Sequence, residues 1–210
     1  MTMLWVVFLF LSLAAHGQTR EIIKMGGNVS LYPYSPKSVN KLSELPANIQ
    51  EKVAIHLIDR LGDDFYKNLK FTSGVVVSFD DLRRVRPNAD FKWKVFTYDL
   101  EYTFAMRDEG IKSYAAHIWL DEKGDVLKEI DLPAIRQNPD KAKIISVQTA
   151  MKIGKANGFR TSWVALDYRK EDDSIVWQLH RPDKDGGTLR IDISAHNGKI
   201  LNTTGWKGIP

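Results

Sequence analysis

Not one cysteine occurs in the 210 residues. Disulfide staples, thiolate metal sites and a cysteine nucleophile are excluded together, so a hydrophobic core must supply the stability. An excess of one charge sign is missing too: 30 Lys and Arg stand against 26 Asp and Glu, a net +4. That balance is too small and too mixed to demand a nucleic-acid partner. Also absent are His-Glu-x-x-His, a Gly-x-Ser-x-Gly elbow and a glycine-rich phosphate loop, so no motif points to a metal, a cofactor or a hydrolase. What remains is globular composition. Hydrophobic residues at 43% and charged residues at 27% rule against disorder and coiled coil. The aromatic residues, six Trp, seven Tyr and nine Phe, suit sheet faces and core packing.

The one marked apolar run, Leu4 to Leu13, is shorter than the ~20 residues a bilayer span needs. It ends in Ala15-His16-Gly17, small residues where a signal peptidase cuts, although no Lys or Arg precedes it. Residues 1–17 are therefore expected to be a signal peptide, and the protein to be exported, periplasmic or secreted, and soluble. With no Cys for a lipobox, it is expected not to be a lipoprotein. No further apolar run is long enough for a transmembrane segment.

Residues 18–45 read as an extended leader, rich in turn formers from Gly26-Gly27 to Tyr32-Pro33-Tyr34-Ser35-Pro36, with Tyr32 and Tyr34 as aromatics able to dock. A helix begins near Asn48, where Asn48 and Glu51 match a capping box; Ile49, Val53, Leu57 and Leu61 form its apolar stripe and Gly62 ends it. Strand patterns follow at Leu69–Phe79 and Trp93–Met106. A hairpin of Tyr114–Leu120 and Asp125–Ile130 then turns at Asp121–Gly124. A second helix starts at Ser146, buries Val147, Ala150, Met151 and Gly154, and stops at Asn157-Gly158. Strands at Trp163–Tyr168 and Ile175–His180 follow. The last hairpin joins Leu189–Ser194 to Lys199–Thr203 through Asn197-Gly198.

The order helix, strand, strand, hairpin thus occurs twice. Overlaying Gly124 on Gly198 lays Val126 on Ile200, Leu127 on Leu201 and Trp119 on Ile193, and Ala54 falls on Ala150 with an insertion of about 79–94 in the first copy. The expected fold is α+β, two tandem lobes of one helix packed on an antiparallel sheet, at 46–135 and 136–210.

Residues Ile145 to Ile153 with Asn157-Gly158, then Trp163, Trp177, Leu189-Arg190-Ile191-Asp192-Ile193 and Asn197-Gly198-Lys199-Ile200-Leu201, carry a family likeness. Over roughly 140–206 the chain resembles a PepSY domain, and the first lobe resembles it distantly through its helix and closing hairpin. Gln148 and Thr149 stand where that family's helix is usually Glu-rich. The resemblance implies an exported, non-catalytic, PepSY-like module linked to peptidase inhibition or to regulation at the cell envelope. Its implied partner is a peptidase or an extended peptide recruited by strand addition. It supplies no catalytic residues.

Among candidate site residues, Arg83, Arg84 and Arg86 form a basic cluster inside the insertion, flanked by Trp93, and suit an anionic envelope polymer; Asp80, Asp81 and Asp90 are their nearest neutralising charges. Trp206 in the C-terminal tail is a candidate contact residue. Trp93, Trp119, Trp163 and Trp177 lie in or beside strand patterns, where packing explains them. The acidic pairs Asp80/Asp81 and Asp99/Glu101 read as solvated edge charges rather than acid–base pairs. His56, His117, His180 and His196 lack metal-ligand spacing, and Asp183–Gly187 is a turn because Thr188 and Ser194 fail the EF-hand positions. No cofactor is expected. The alternative function is a structural or polysaccharide-binding component of the envelope or matrix.

Overall fold

A computed structural model describes residues 34–85, 87 and 96–206. The segment 1–17 and the candidates Arg86 and Trp93 lie outside the described residues. The fold is α+β, with two antiparallel sheets and few helices. The five-stranded sheet has the order β1-β2-β3-β4-β5, formed by Lys37–Val39, Leu69–Val76, Tyr98–Met106, Ile111–Leu120 and Val126–Lys128. The four-stranded sheet runs β6-β7-β8-β9, formed by Trp163–Arg169, Ser174–Pro182, Thr188–Ser194 and Ile200–Trp206. Helices α1 (Ala47–Leu61), the one-turn α2 (Asp63–Tyr66), α3 (Phe79–Val85) and α4 (Val147–Ala156) complete the described elements, with two short 3-10 turns. The arrangement fits two helix-plus-sheet lobes only roughly, because α2, α3 and β1 are additions to the first.

The chain divides into two compact units, 1–52 with 71–101 and 117–129, and 53–70 with 102–116 and 130–210. The core of the first unit joins Tyr34, Val77, Leu82 and Phe96, with Phe79, Trp119 and Leu127 packed against them. Tyr34, from the segment expected to be a leader, is buried there, and its hydroxyl accepts the Ser78 N–H at 2.7 Å. That segment also supplies β1, whose Val39 pairs with Gly74 of β2.

Helix α1 buries its stripe: Ile49, Val53, Leu57 and Leu61 are all at or below 1% exposure. Its start differs from expectation. Asn48 lies inside the helix, and the Pro46 carbonyl accepts the N–H groups of Ile49 and Gln50 while the Gln50 amide reaches back to the Leu45 carbonyl at 2.7 Å. A proline just ahead of the first turn has no N–H to satisfy, and this displaces the Asn48 cap. In the second unit, α4 keeps its sequence signals: the Ser146 hydroxyl accepts the Thr149 N–H at 3.2 Å, and Gly158 takes φ +75°. Ala150 and Gly154 are buried but Met151 is 41% exposed, since the buried line is the i, i+4 row. A β-carbon on Gly154 would lie 2.6 Å from Leu179 Cδ2, so α4 packs closely on the β7 face that carries Leu179. On that same face the Trp177 indole donates to the Ile145 carbonyl at 2.9 Å.

Both closing hairpins contain a bulge, at Trp119/Leu120 opposite Lys128/Val126 and at Asp192/Ile193 opposite Asn202/Ile200. The match corrects the overlay by one residue: Trp119 corresponds to Asp192, and Leu120 to Ile193. Period-two alternation explains why the slip matters, because it would have moved Trp119 onto the wrong sheet face. Each hairpin glycine also meets the opening helix of its copy. A β-carbon on Gly124 would lie 3.0 Å from Ile49 Cδ1, and one on Gly198 2.8 Å from Ile153 Cδ1.

Candidate functional site

On β3, Leu100, Tyr102 and Phe104 are buried on one face, so Asp99 and Glu101 fall on the other. On β4, Ala116, Ile118 and Leu120 are likewise buried, which turns His117 to the side of the two carboxylates. His117 Nδ1 lies 3.0 Å from Asp99 Oδ1, and Nε2 lies 3.6 Å from Glu101 Oε2. Asp99 is only 6% exposed, which overturns its reading as a solvated edge charge. The strand beside it comes close because Gly74 has no side chain: a β-carbon there would lie 3.0 Å from the Asp99 carbonyl oxygen. The hydrogen bond to Asp99 holds the His117 pKa above its ordinary value, against the opposing effect of burial.

These three groups line a depression of about 160 Å³ that continues over Ser38 of β1, Asn40 just after that strand, and Ser73 and Val75 of β2. Among the residues that line the depression, Asp99 and Glu101 are two acids against the single basic group His117, while Lys128 acts on His117 from outside the lining. The His117 Nδ1 lies within hydrogen-bond distance of Asp99, and its Nε2 faces Glu101 at longer range.

The sequence-predicted residues are not gathered at this depression. Arg84 forms an exposed pair with Asp81 at 3.1 Å on α3, and Arg83 is exposed on the same helix. Asp81 is thus a surface charge, as Asp80 is. Trp206 is placed as the last residue of β9. Of the tryptophans read as packing residues, Trp177 is 3% exposed and Trp119 packs against Phe96, but Trp163 is 51% exposed. Trp163 lies flat on His180, ring centroids 3.5 Å apart and planes within 4°. Burial, helped by nearby Arg190, pushes the His180 pKa down.

Sequence reading also missed a clamp in the second unit. Asp173 accepts hydrogen bonds from Arg60 Nη2 at 3.0 Å, the Tyr168 hydroxyl at 2.7 Å and the Ala134 N–H at 3.0 Å, with Lys141 Nζ at 3.3 Å. No local motif marks it, because its partners come from four separate stretches of chain. Its one local trace is the short Glu171-Asp172-Asp173 turn, where Asp173 takes φ +48°.

No family model matches the chain, and no curated protein matches it. Among solved structures it is similar to a crystal structure described as a "putative lipoprotein" from Clostridium difficile 630, at 19% identity and TM-score 0.29, over 80% of this chain and all of that one. A likeness at that score carries no argument about function. The neighbour's description conflicts with the expectation of an exported chain without a lipid anchor, and that localisation is withdrawn. The absence of cysteine speaks only of these 210 residues, and the segment that carried the export reading is outside the described ones. No helix among the described residues is long and apolar enough to cross a membrane.

Proposed function

We propose that the chain is a non-catalytic binding module of two PepSY-like lobes, and that it holds an extended peptide presenting a basic side chain. The observation that carries this is the acidic depression of Asp99, Glu101 and His117, which opens beside β1. Among the described strands β1 is an edge of its sheet, and Ser38 on it and Asn40 just after it line the depression. A peptide adding as a strand along β1 turns alternate side chains to this face, where an ammonium or guanidinium meets two carboxylates. The volume suits one long side chain. A peptidase loop or a peptidase substrate supplies such a segment, which is how an inhibitory role operates physically.

The PepSY-like duplication is supported by the two bulged hairpins, by their glycines set against the opening helices, and by α3 falling in the expected insertion of about 79–94. The test is calorimetric titration with a lysine-centred hexapeptide of alternating valine and threonine, and with its glutamine-centred twin. The expected result is binding of the lysine peptide alone, weakened about tenfold by Glu101→Gln, a loss the size of one charge-assisted contact. Equal binding of both peptides, or indifference to Glu101→Gln, would overturn the proposal.

A further inference from the structure

In the ladder between β7 and β8, Val176 pairs with Ser194, so Ile175 and Ala195 stand at the next step. The Ala195 N–H donates to the Ile175 carbonyl at 2.9 Å, one half of an antiparallel hydrogen-bonded pair. The other half is made differently. The Ala195 carbonyl accepts the Ile145 N–H at 2.7 Å, from the stretch that leads into α4. The Ile175 N–H turns to the His196 imidazole and donates to Nε2 at 3.0 Å. A side chain thus stands in for a main-chain acceptor that the α4 lead-in has taken.

The partners fix the protonation state of that ring. A backbone N–H can only donate, so Nε2 carries a lone pair; the Lys143 carbonyl can only accept, so Nδ1, 3.3 Å from it, carries the proton. Neutral His196 therefore joins three pieces of chain: the lead-in at Lys143, the start of β7 and the turn between β8 and β9. The Trp177 indole completes the junction by donating to the Ile145 carbonyl at 2.9 Å. Ile175 is 1% exposed, so water does not replace its acceptor while the turn stays in place.

A second proton on the ring sets Nε2–H against the Ile175 N–H, donor against donor. The charged groups around it are Lys141 and Asp172, with Lys199 in the turn itself. Lys141 Nζ donates to the Asp172 and Asp173 carbonyls at 3.0 and 2.7 Å, and the Asp172 carboxylate accepts the Ser174 hydroxyl at 2.8 Å and faces Arg169 at 3.6 Å. Burial is the largest effect and lowers the His196 pKa; the Lys141 ammonium adds to it, while main-chain contacts at Lys143 and Lys141 and the Asp172 charge oppose it.

The geometry points to an acid-operated switch: neutral His196 latches the β8–β9 turn and the α4 lead-in to the start of β7, and its protonation releases that latch. The bond that breaks is Ile175 N–H to Nε2, the proton comes from solvent, and the imidazolium leaves with the turn. Because Ala195 holds both Ile175 and Ile145, the lead-in loosens with it. Opening grows about tenfold per pH unit between the ordinary imidazole pKa and the lowered one of the latched ring, then levels off. The latch shares no residue with the acidic depression and stands or falls separately from it.

NMR of the labelled full chain from pH ~7.5 to ~4, an interval that brackets the ordinary imidazole pKa, tests the switch. Ring nitrogen shifts should show the Nδ1–H tautomer at the upper end. The Ile175 amide protection factor should then fall at least tenfold as His196 titrates, with Ile145 and Ala195 following and mid-strand Leu179 unchanged. His196→Gln puts a carbonyl that does not titrate near the Nε2 position and should keep Ile175 protected throughout. His196→Ala should leave it unprotected at every pH; should that variant fail to fold, the Gln variant and the parent chain carry the comparison. The proposal is overturned by an Nε2–H tautomer at the upper end or by Ile175 protection that ignores the His196 titration. An equal loss at Leu179, or a loss in His196→Gln matching the parent's, overturns it as well.

Discussion

Replacing Asp173 separates three physical effects at one position. Its carboxylate satisfies the Arg60 guanidinium, whose side chain is 14% exposed, together with the Ala134 N–H and the Tyr168 hydroxyl. Removing the acceptor takes it from the Ala134 N–H and the Tyr168 hydroxyl and breaks the ion pair, while the Arg60 guanidinium keeps the Leu132 carbonyl at 2.9 and 3.2 Å. Breaking a buried ion pair costs about 3–5 kcal/mol, and because the Asp173 side chain is 29% exposed, water re-enters and the lower end applies. Asp173→Ala should therefore cost ~3 kcal/mol, a fall in Tm of ~6–12 °C for a chain of this size. The backbone adds a second term. At φ +48° alanine is strained by ~1–2 kcal/mol where glycine is not, and the greater unfolded-state freedom of glycine offsets part of this. Asp173→Gly should then be the more stable of the two by ~0.5–1 kcal/mol. Asp173→Asn keeps a left-handed-tolerant residue and one acceptor oxygen, and should fall between wild type and both. Burial raises the Asp173 pKa, but Ala134, Tyr168 and Lys141 together outweigh it and hold it below the ordinary value. The carboxylate's contribution is thus complete above the ordinary Asp pKa and lost as pH falls through the lowered one, so the Asn variant and wild type should converge in acid. Thermal unfolding of the three variants across pH is the assay. Equal Tm for Ala and Gly, or a wild-type gap that persists in strong acid, would refute the reasoning.

Two histidines should give opposite pH dependences. His117 has a raised pKa in the folded chain, so its contribution is full below its ordinary pKa and lost as pH climbs through the raised value; His117→Gln should flatten that alkaline loss in a Tm–pH profile. His196 accepts the Ile175 N–H on Nε2 at 3.0 Å, and burial lowers its pKa. Its contribution is present above its ordinary pKa and falls away as pH drops toward the lowered one, a loss that His196→Asn should remove. Among left-handed glycines, Gly158→Ala meets nothing within 4 Å and should cost ~1 kcal/mol from backbone strain alone. Gly110→Ala drives its new methyl into the stiff Val147 side chain and should cost ~2–4 kcal/mol by chemical denaturation.

Local chemistry made α4 and the last hairpin legible. Ser146, Asn157-Gly158 and Asn197-Gly198 each carry their own signal, and the helix and strands stand where those signals point. Signals that depend on a neighbour were less visible. Pro46 displaced the Asn48 cap, and the paired bulges shifted the internal overlay by one residue, which no alternation pattern reveals. At the candidate site the sequence displayed Asp99 and Glu101 as an acidic pair, yet the burial of Asp99 depends on how closely β2 approaches at Gly74. Trp163 looked like its fellow strand tryptophans. Only the register that sets it opposite His180, on the face away from Leu179, distinguishes it from Trp177.

Amide chemical-shift mapping of the labelled chain with the lysine-centred hexapeptide tests most directly whether the acidic depression receives a basic side chain. Shifts concentrated at Ser38, Asn40, Ser73, Asp99, Glu101 and His117, and absent with the glutamine-centred peptide, are the predicted result. Shifts scattered elsewhere, or equal for the two peptides, would contradict it.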